Sequence, residues 1–137
     1  MKKAFQSLAA AAAMTLITGG AAMAQAYPTS IVGTWTIRAN DTQPFTFTVS
    51  TQSSDAPCAA ITGLMGAPND TIVGYYCPAT GGVSFLRNSS QTGATYQVFT
   101  GELSWTGTKT YMTGSFSNFS GGVHTGSFGF TAYAPPS

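Results

Sequence analysis

The residues able to do chemistry are few, and their spacing closes off most reactions. His124 is the single histidine and lies in Gly121-Gly122-Val123-His124, a turn composition. A histidine base needs a nucleophile beside it and a third group to orient its ring, and no spacing in the sequence marks such a set. The four acids, Asp41, Asp55, Asp70 and Glu102, are scattered, so there is no acidic cluster of the kind that holds calcium. The two cysteines form no Cys-x-x-Cys, and one histidine cannot complete a zinc site. No glycine-rich loop runs from a strand into a helix to cradle phosphate. The chain is therefore expected not to be an enzyme and to carry no metal or cofactor. What remains is binding, and the abundant residues for it are aromatic: Trp35, Phe45, Phe47, Phe85, Phe99, Trp105, Tyr111, Phe116, Phe128 and Phe130.

The start of the chain has a three-part secretory pattern. Lys2 and Lys3 form a positive n-region, an alanine-rich apolar stretch follows, and small residues permit cleavage after Ala24 or after Ala26. Gly19-Gly20 break the apolar stretch, which is too short for the ~20 residues of a membrane span. The expected division is a signal peptide over 1–24, one domain over 27–133 and a tail over 134–137, with the mature protein periplasmic or secreted. Loss of the two lysines leaves Arg38, Arg87 and Lys109 against the four acids, a net charge of about −1. That balance does not attract a phosphate backbone, so nucleic acid is not an expected partner.

The mature part has no helical apolar period. It alternates instead. Trp35, Ile37 and Ala39 share one face of a first strand, with Thr34, Thr36 and Arg38 on the other. Phe45, Phe47 and Val49 oppose Thr46, Thr48 and Ser50 in a second. Further strands are read over 58–65, 71–77, 82–87, 95–103, 110–118 and 125–133. Short turn-rich links join eight short strands, so sequential neighbours can pair as hairpins. The expected fold is all-β, an eight-stranded antiparallel up-and-down barrel; a two-sheet sandwich is the competing architecture.

The cysteines support the third and fourth strands. If the hairpin closes around Gly66-Ala67-Pro68-Asn69, then Met65 opposes Asp70, Thr62 opposes Val73 and Ala60 opposes Tyr75. The same register puts Cys58 opposite Cys77, within reach of a disulfide. It also places Leu64, Val73 and Tyr75 on one face and Ile61, Met65 and Ile72 on the other. If the second set is inside, the first is an outer apolar patch suited to a subunit contact, and a homo-oligomer is possible.

Face parity gives candidate ligand positions. With Trp35 inward, Ile37, Ala39 and Asp41 follow. The fifth strand turns Val83, Phe85 and Arg87 inward, with Arg87 near a rim. There it is available to a ligand carboxylate, or else solvated, or paired with an acid.

The order of motifs resembles the avidin/streptavidin family of exported β-barrels. The residues that carry the resemblance are Gly33-Thr34-Trp35, Ile61-Thr62-Gly63, Val73-Gly74-Tyr75, Phe99-Thr100-Gly101 and Gly126-Ser127-Phe128, in family order over nearly all of the mature chain. The resemblance implies a barrel that binds biotin in its mouth and associates into dimers or tetramers. At the matching ligand positions, Ile37 stands for a polar side chain, Met65 for a tyrosine, and Phe99 and Phe116 for tryptophans. Gly126 or Ser127 stands for an aspartate, and the long loop after the third strand is a tight turn. The implied scaffold is thus retained while the implied biotin site is largely replaced. A lipocalin-like barrel, which also opens with Gly-x-Trp, is the neighbouring alternative. The expected function is a small apolar or biotin-like ligand in the barrel mouth, held by Ile37, Asp41, Met65, Phe85, Arg87, Phe99 and Phe116. The alternative is a barrel with a filled interior that binds a macromolecule or itself.

Overall fold

The structure, a computed structural model, describes residues 27–89, 94–106 and 108–134. The signal segment with its cleavage sites, and residues 135–137 of the tail, lie outside them. Eight strands run in order: β1 (Gly33–Ala39), β2 (Phe45–Gln52), β3 (Ala59–Met65), β4 (Asp70–Cys77), β5 (Gly82–Asn88), β6 (Thr95–Trp105), β7 (Thr110–Ser120) and β8 (Val123–Ala134). Each pairs antiparallel with its sequence neighbour, and β1 also pairs with β8 to close the barrel. Closure gives every strand a neighbour on both sides, with β1 and β8 joined over Thr36–Ala39 and Phe130–Tyr133, and it decides between barrel and sandwich. Ala134, read as the start of the tail, is the last residue of β8.

Alternation sets the two faces. Trp35, Ile37, Ala39, Phe47 and Val49 are buried inside, and the threonines between them face outward or are half-buried. β3 and β4 pair Met65 with Asp70, Thr62 with Val73 and Ala60 with Tyr75. Cys58 and Cys77 are bonded, with Cα atoms 4.1 Å apart. Asp41 differs from its expected inward placement. Asn40 and Asp41 turn in the left-handed region, with φ of 49° and 54°, so the parity of β1 ends at Ala39 and Asp41 is exposed.

The segment before β1 closes one end of the barrel. Trp35 Nε1 donates to the Ile31 carbonyl at 3.0 Å, and Gln52 bonds both the Ile31 amide and the Thr29 carbonyl. The Tyr76 hydroxyl, on a fully buried side chain, donates to the Pro28 carbonyl at 2.7 Å. Burial pushes the Tyr76 phenol from 10.0 up to about 12, and the neighbouring Tyr27 adds to the shift. The folded state therefore favours the neutral phenol. This contribution is complete below the unfolded value near pH 10 and is lost as pH rises through about 12. Urea unfolding is expected to show a fall in stability on the order of 2 kcal/mol across that window. The fall should be smaller in Tyr76→Phe; an equal fall in both proteins would remove Tyr76 as its source.

Candidate functional site

The interior is organised in layers. β5 to β8 place Phe85, Phe99, Phe116 and Phe128 directly opposite one another in register. Their rings form a ladder with centroids 4.7, 4.8 and 5.4 Å apart. Phe47 reaches across from β2 to stack on Phe85 at 5.0 Å, and Phe130 meets Phe99 edge-on at 5.3 Å. These are favourable geometries for aromatic pairs, and they fill the middle of the lumen.

Two residues further toward the open end, the same strands carry a polar layer. Arg87, Gln97 and Asn118 are again register partners. Arg87 binds Asp70 through Nε at 2.9 Å and Nη2 at 2.7 Å, and donates from Nη1 to Gln97 at 3.0 Å. Gln97 Nε2 in turn donates to Asn118 at 2.8 Å. The guanidinium lies 5.7 Å from the Phe45 ring. Of the alternatives open in the sequence, Arg87 is therefore the one paired with an acid, and Asp70 neutralises it. Above this layer a recess of about 210 Å³ opens between Phe45, Phe116, Phe128 and the β1–β2 turn.

The candidate residues are thus divided. Arg87 and Phe116 line the recess. Ile37, Met65, Phe85 and Phe99 are sealed in the core beneath it. Asp41 faces a separate depression on the outer wall, shared with Arg38 and Gly114. Of the residues expected to hold a ligand in the mouth, Phe85, Phe99 and Phe116 leave no space between them, because their rings pack on each other. Gln97, Asn118 and Asp70 were not among the sequence candidates. Their signal was parity: Gln97 lies two residues from Phe99 and Asn118 two from Phe116, as Arg87 does from Phe85.

The outer wall carries two further features. Leu64, Val73 and Tyr75 are 39%, 54% and 52% exposed, as the hairpin register requires when Ile61, Met65 and Ile72 are inside. Beside Tyr75 a concavity of about 610 Å³ crosses β4 to β7. On β8, His124 Nε2 lies 3.0 Å from Ser127 Oγ, which lies 2.9 Å from Ser117 Oγ on β7; His124 and Ser127 are exposed and Ser117 is half-buried, and among the described residues no carboxylate is bonded to this histidine. Among the described residues no three of His, Cys, Asp and Glu come together.

No protein-family model matches this chain, and no curated protein matches it.

Proposed function

We propose that the chain is an exported, non-enzymatic binding barrel of avidin-like descent that binds a macromolecule through its outer wall. The observation that carries this reading is the aromatic ladder, which occupies the volume a luminal ligand would need. The recess left at the mouth, about 210 Å³, is smaller than the roughly 300–1,000 Å³ of small-molecule sites. Its one cation is already matched by Asp70. The outer wall instead offers an exposed apolar patch and a large concavity. Export is supported by the charged, apolar and small-residue regions at the chain start. Descent is supported by the motif order together with the up-and-down topology.

A second reading keeps a small neutral ligand at the mouth. It is favoured by the Asn118 side-chain amide nitrogen, which has no partner among the described residues and lines the recess.

Native mass spectrometry of protein purified from its own cells separates the two. The expected mass is that of the chain cleaved after Ala24 or Ala26, less the hydrogens of one disulfide, with nothing small retained and no retention on biotin-agarose. A stoichiometric small molecule held by the native protein would overturn the outer-wall reading in favour of the mouth. An uncleaved N-terminus would overturn export.

A further inference from the structure

We propose that the concavity across β4 to β7 binds a neutral polysaccharide chain. The Tyr75 ring serves as the platform for a sugar's C–H face, and Thr100, Thr113, Ser115 and Glu102 are the partners of its hydroxyls. This deepens the outer-wall reading and rests on it.

A barrel wall is ordinarily convex. Here it is hollowed by a glycine pair. Gly101 and Gly114 face each other across β6 and β7, at positions whose parity points inward. A Cβ on Gly114 would sit 2.5 Å from the Gly101 Cα and run into the Thr100 carbonyl; one on Gly101 would sit 2.5 Å from the Thr113 carbonyl oxygen. The two strands are therefore in closer contact than any side chain at this pair permits. Gly114 is nonetheless exposed from outside, so its backbone forms the floor of the hollow.

The lining matches a sugar. A pyranose presents a C–H face and a rim of hydroxyls that both donate and accept. Tyr75 supplies an exposed flat ring at one side of the hollow. Thr100 lies opposite Ser115, and Glu102 opposite Thr113, all with outward parity. Among the described residues the hydroxyls of Thr100, Thr113 and Ser115 have no protein partner, and Glu102 has no cation. An unpaired carboxylate accepts two hydroxyl hydrogens.

Other occupants fit less well. Among the described residues Glu102 is the only charge lining the hollow, and it repels phosphate. An extended peptide has no sheet edge to join here, because β4 to β7 are each paired on both sides. An acyl chain would strip water from the hydroxyls without replacing their hydrogen bonds. A second copy of this chain would place Glu102 in the centre of the contact, where protein interfaces are depleted of charge. Length favours a chain over a single sugar: β4 to β7 spans three strand spacings, about 14 Å. At Thr113 and Gly114 the hollow abuts a second depression of about 370 Å³, which continues to Arg38 and Asp41.

The test is an NMR titration of the mature protein with three probes: hexamers of β-1,4-glucose, β-1,4-N-acetylglucosamine and α-1,4-glucose. At least one is expected to bind with a Kd on the order of 1 mM or tighter, shifting the amides of Thr100, Gly101, Gly114 and Ser115. Tyr75→Ala is expected to weaken it about tenfold or more and Glu102→Gln about threefold, while Val123→Ser, at the start of β8 and outside the hollow, leaves it unchanged. Tyr75, Glu102 and Val123 are all exposed, so these variants should fold as the parent does. No shift with any probe, or shifts indifferent to Tyr75→Ala, overturns the proposal. Shifts of the same amides with protein concentration alone give the hollow to a second copy; the sugar proposal then falls and the outer-wall reading stands. Shifts confined to Gln97 and Asn118 would place the ligand at the mouth and overturn both.

Discussion

Replacing Phe99 with alanine is expected to lower the unfolding free energy by about 4 kcal/mol, within the range measured for buried phenylalanines. The ring is fully buried at the centre of the ladder, with Phe85 on one side, Phe116 on the other and Phe130 edge-on. These three rings come from three different strands of a closed barrel, β5, β7 and β8, and cannot all move in to fill the gap. The loss therefore includes a cavity as well as a transfer contribution. For a domain of ordinary stability, about 5–15 kcal/mol in total, this is a large fraction. Phe128→Ala, on the half-buried last rung at the mouth, should cost markedly less. The cavity in Phe99→Ala would be lined by aromatic rings and stay dry, so benzene should bind it and restore part of the lost stability. Chemical unfolding of both variants, with and without benzene, measures this. A loss below about 1.5 kcal/mol for Phe99→Ala would mean the ladder is not close-packed, and the luminal ligand site would return as the better reading.

The same ladder marks where the sequence stops being readable. Parity says that Phe85, Phe99 and Phe116 point inward, and they do. It does not say how far each ring reaches, because that depends on the tilt and stagger of the closed barrel. Phe47 meets Phe85 across the lumen from a strand that is not its neighbour, and no local pattern encodes that contact. Arg87 is a similar case. Its inward direction was legible, but its partner depended on the β4–β5 register, which brings Ile72 opposite Arg87 and Asp70 within 2.7 Å. The Gly101–Gly114 pair is visible only once the β6–β7 hairpin is aligned. Asp41 was misplaced because a left-handed turn interrupts the alternation one residue after Ala39. Where a tight turn fixes the register from within the sequence, as between β3 and β4, the reading reached residue pairs.

That hairpin permits a second large and clean perturbation. Replacing Cys58 and Cys77 together with serine is expected to cost about 3 kcal/mol, the chain-entropy value for a loop closed across a separation of 19 residues. The two cysteines lie outside the packed core, next in parity to the exposed Val73 and Tyr75, so serine opens no cavity. The native hairpin keeps its backbone pairing from Ala59–Tyr76 to Met65–Asp70 without the sulfurs. The loss should therefore come from the unfolded chain, which regains the freedom that the cross-link removed. Two measurements follow. The slope of free energy against urea should rise, since the uncrosslinked chain exposes more surface when unfolded. The double variant should also remain the same barrel, with the outward residues Leu64, Val73 and Tyr75 as exposed as before. A loss near zero with an unchanged slope would mean that the unfolded chain already holds β3 against β4. In that case the turn at Gly66-Ala67-Pro68-Asn69, not the disulfide, would be what fixes this register.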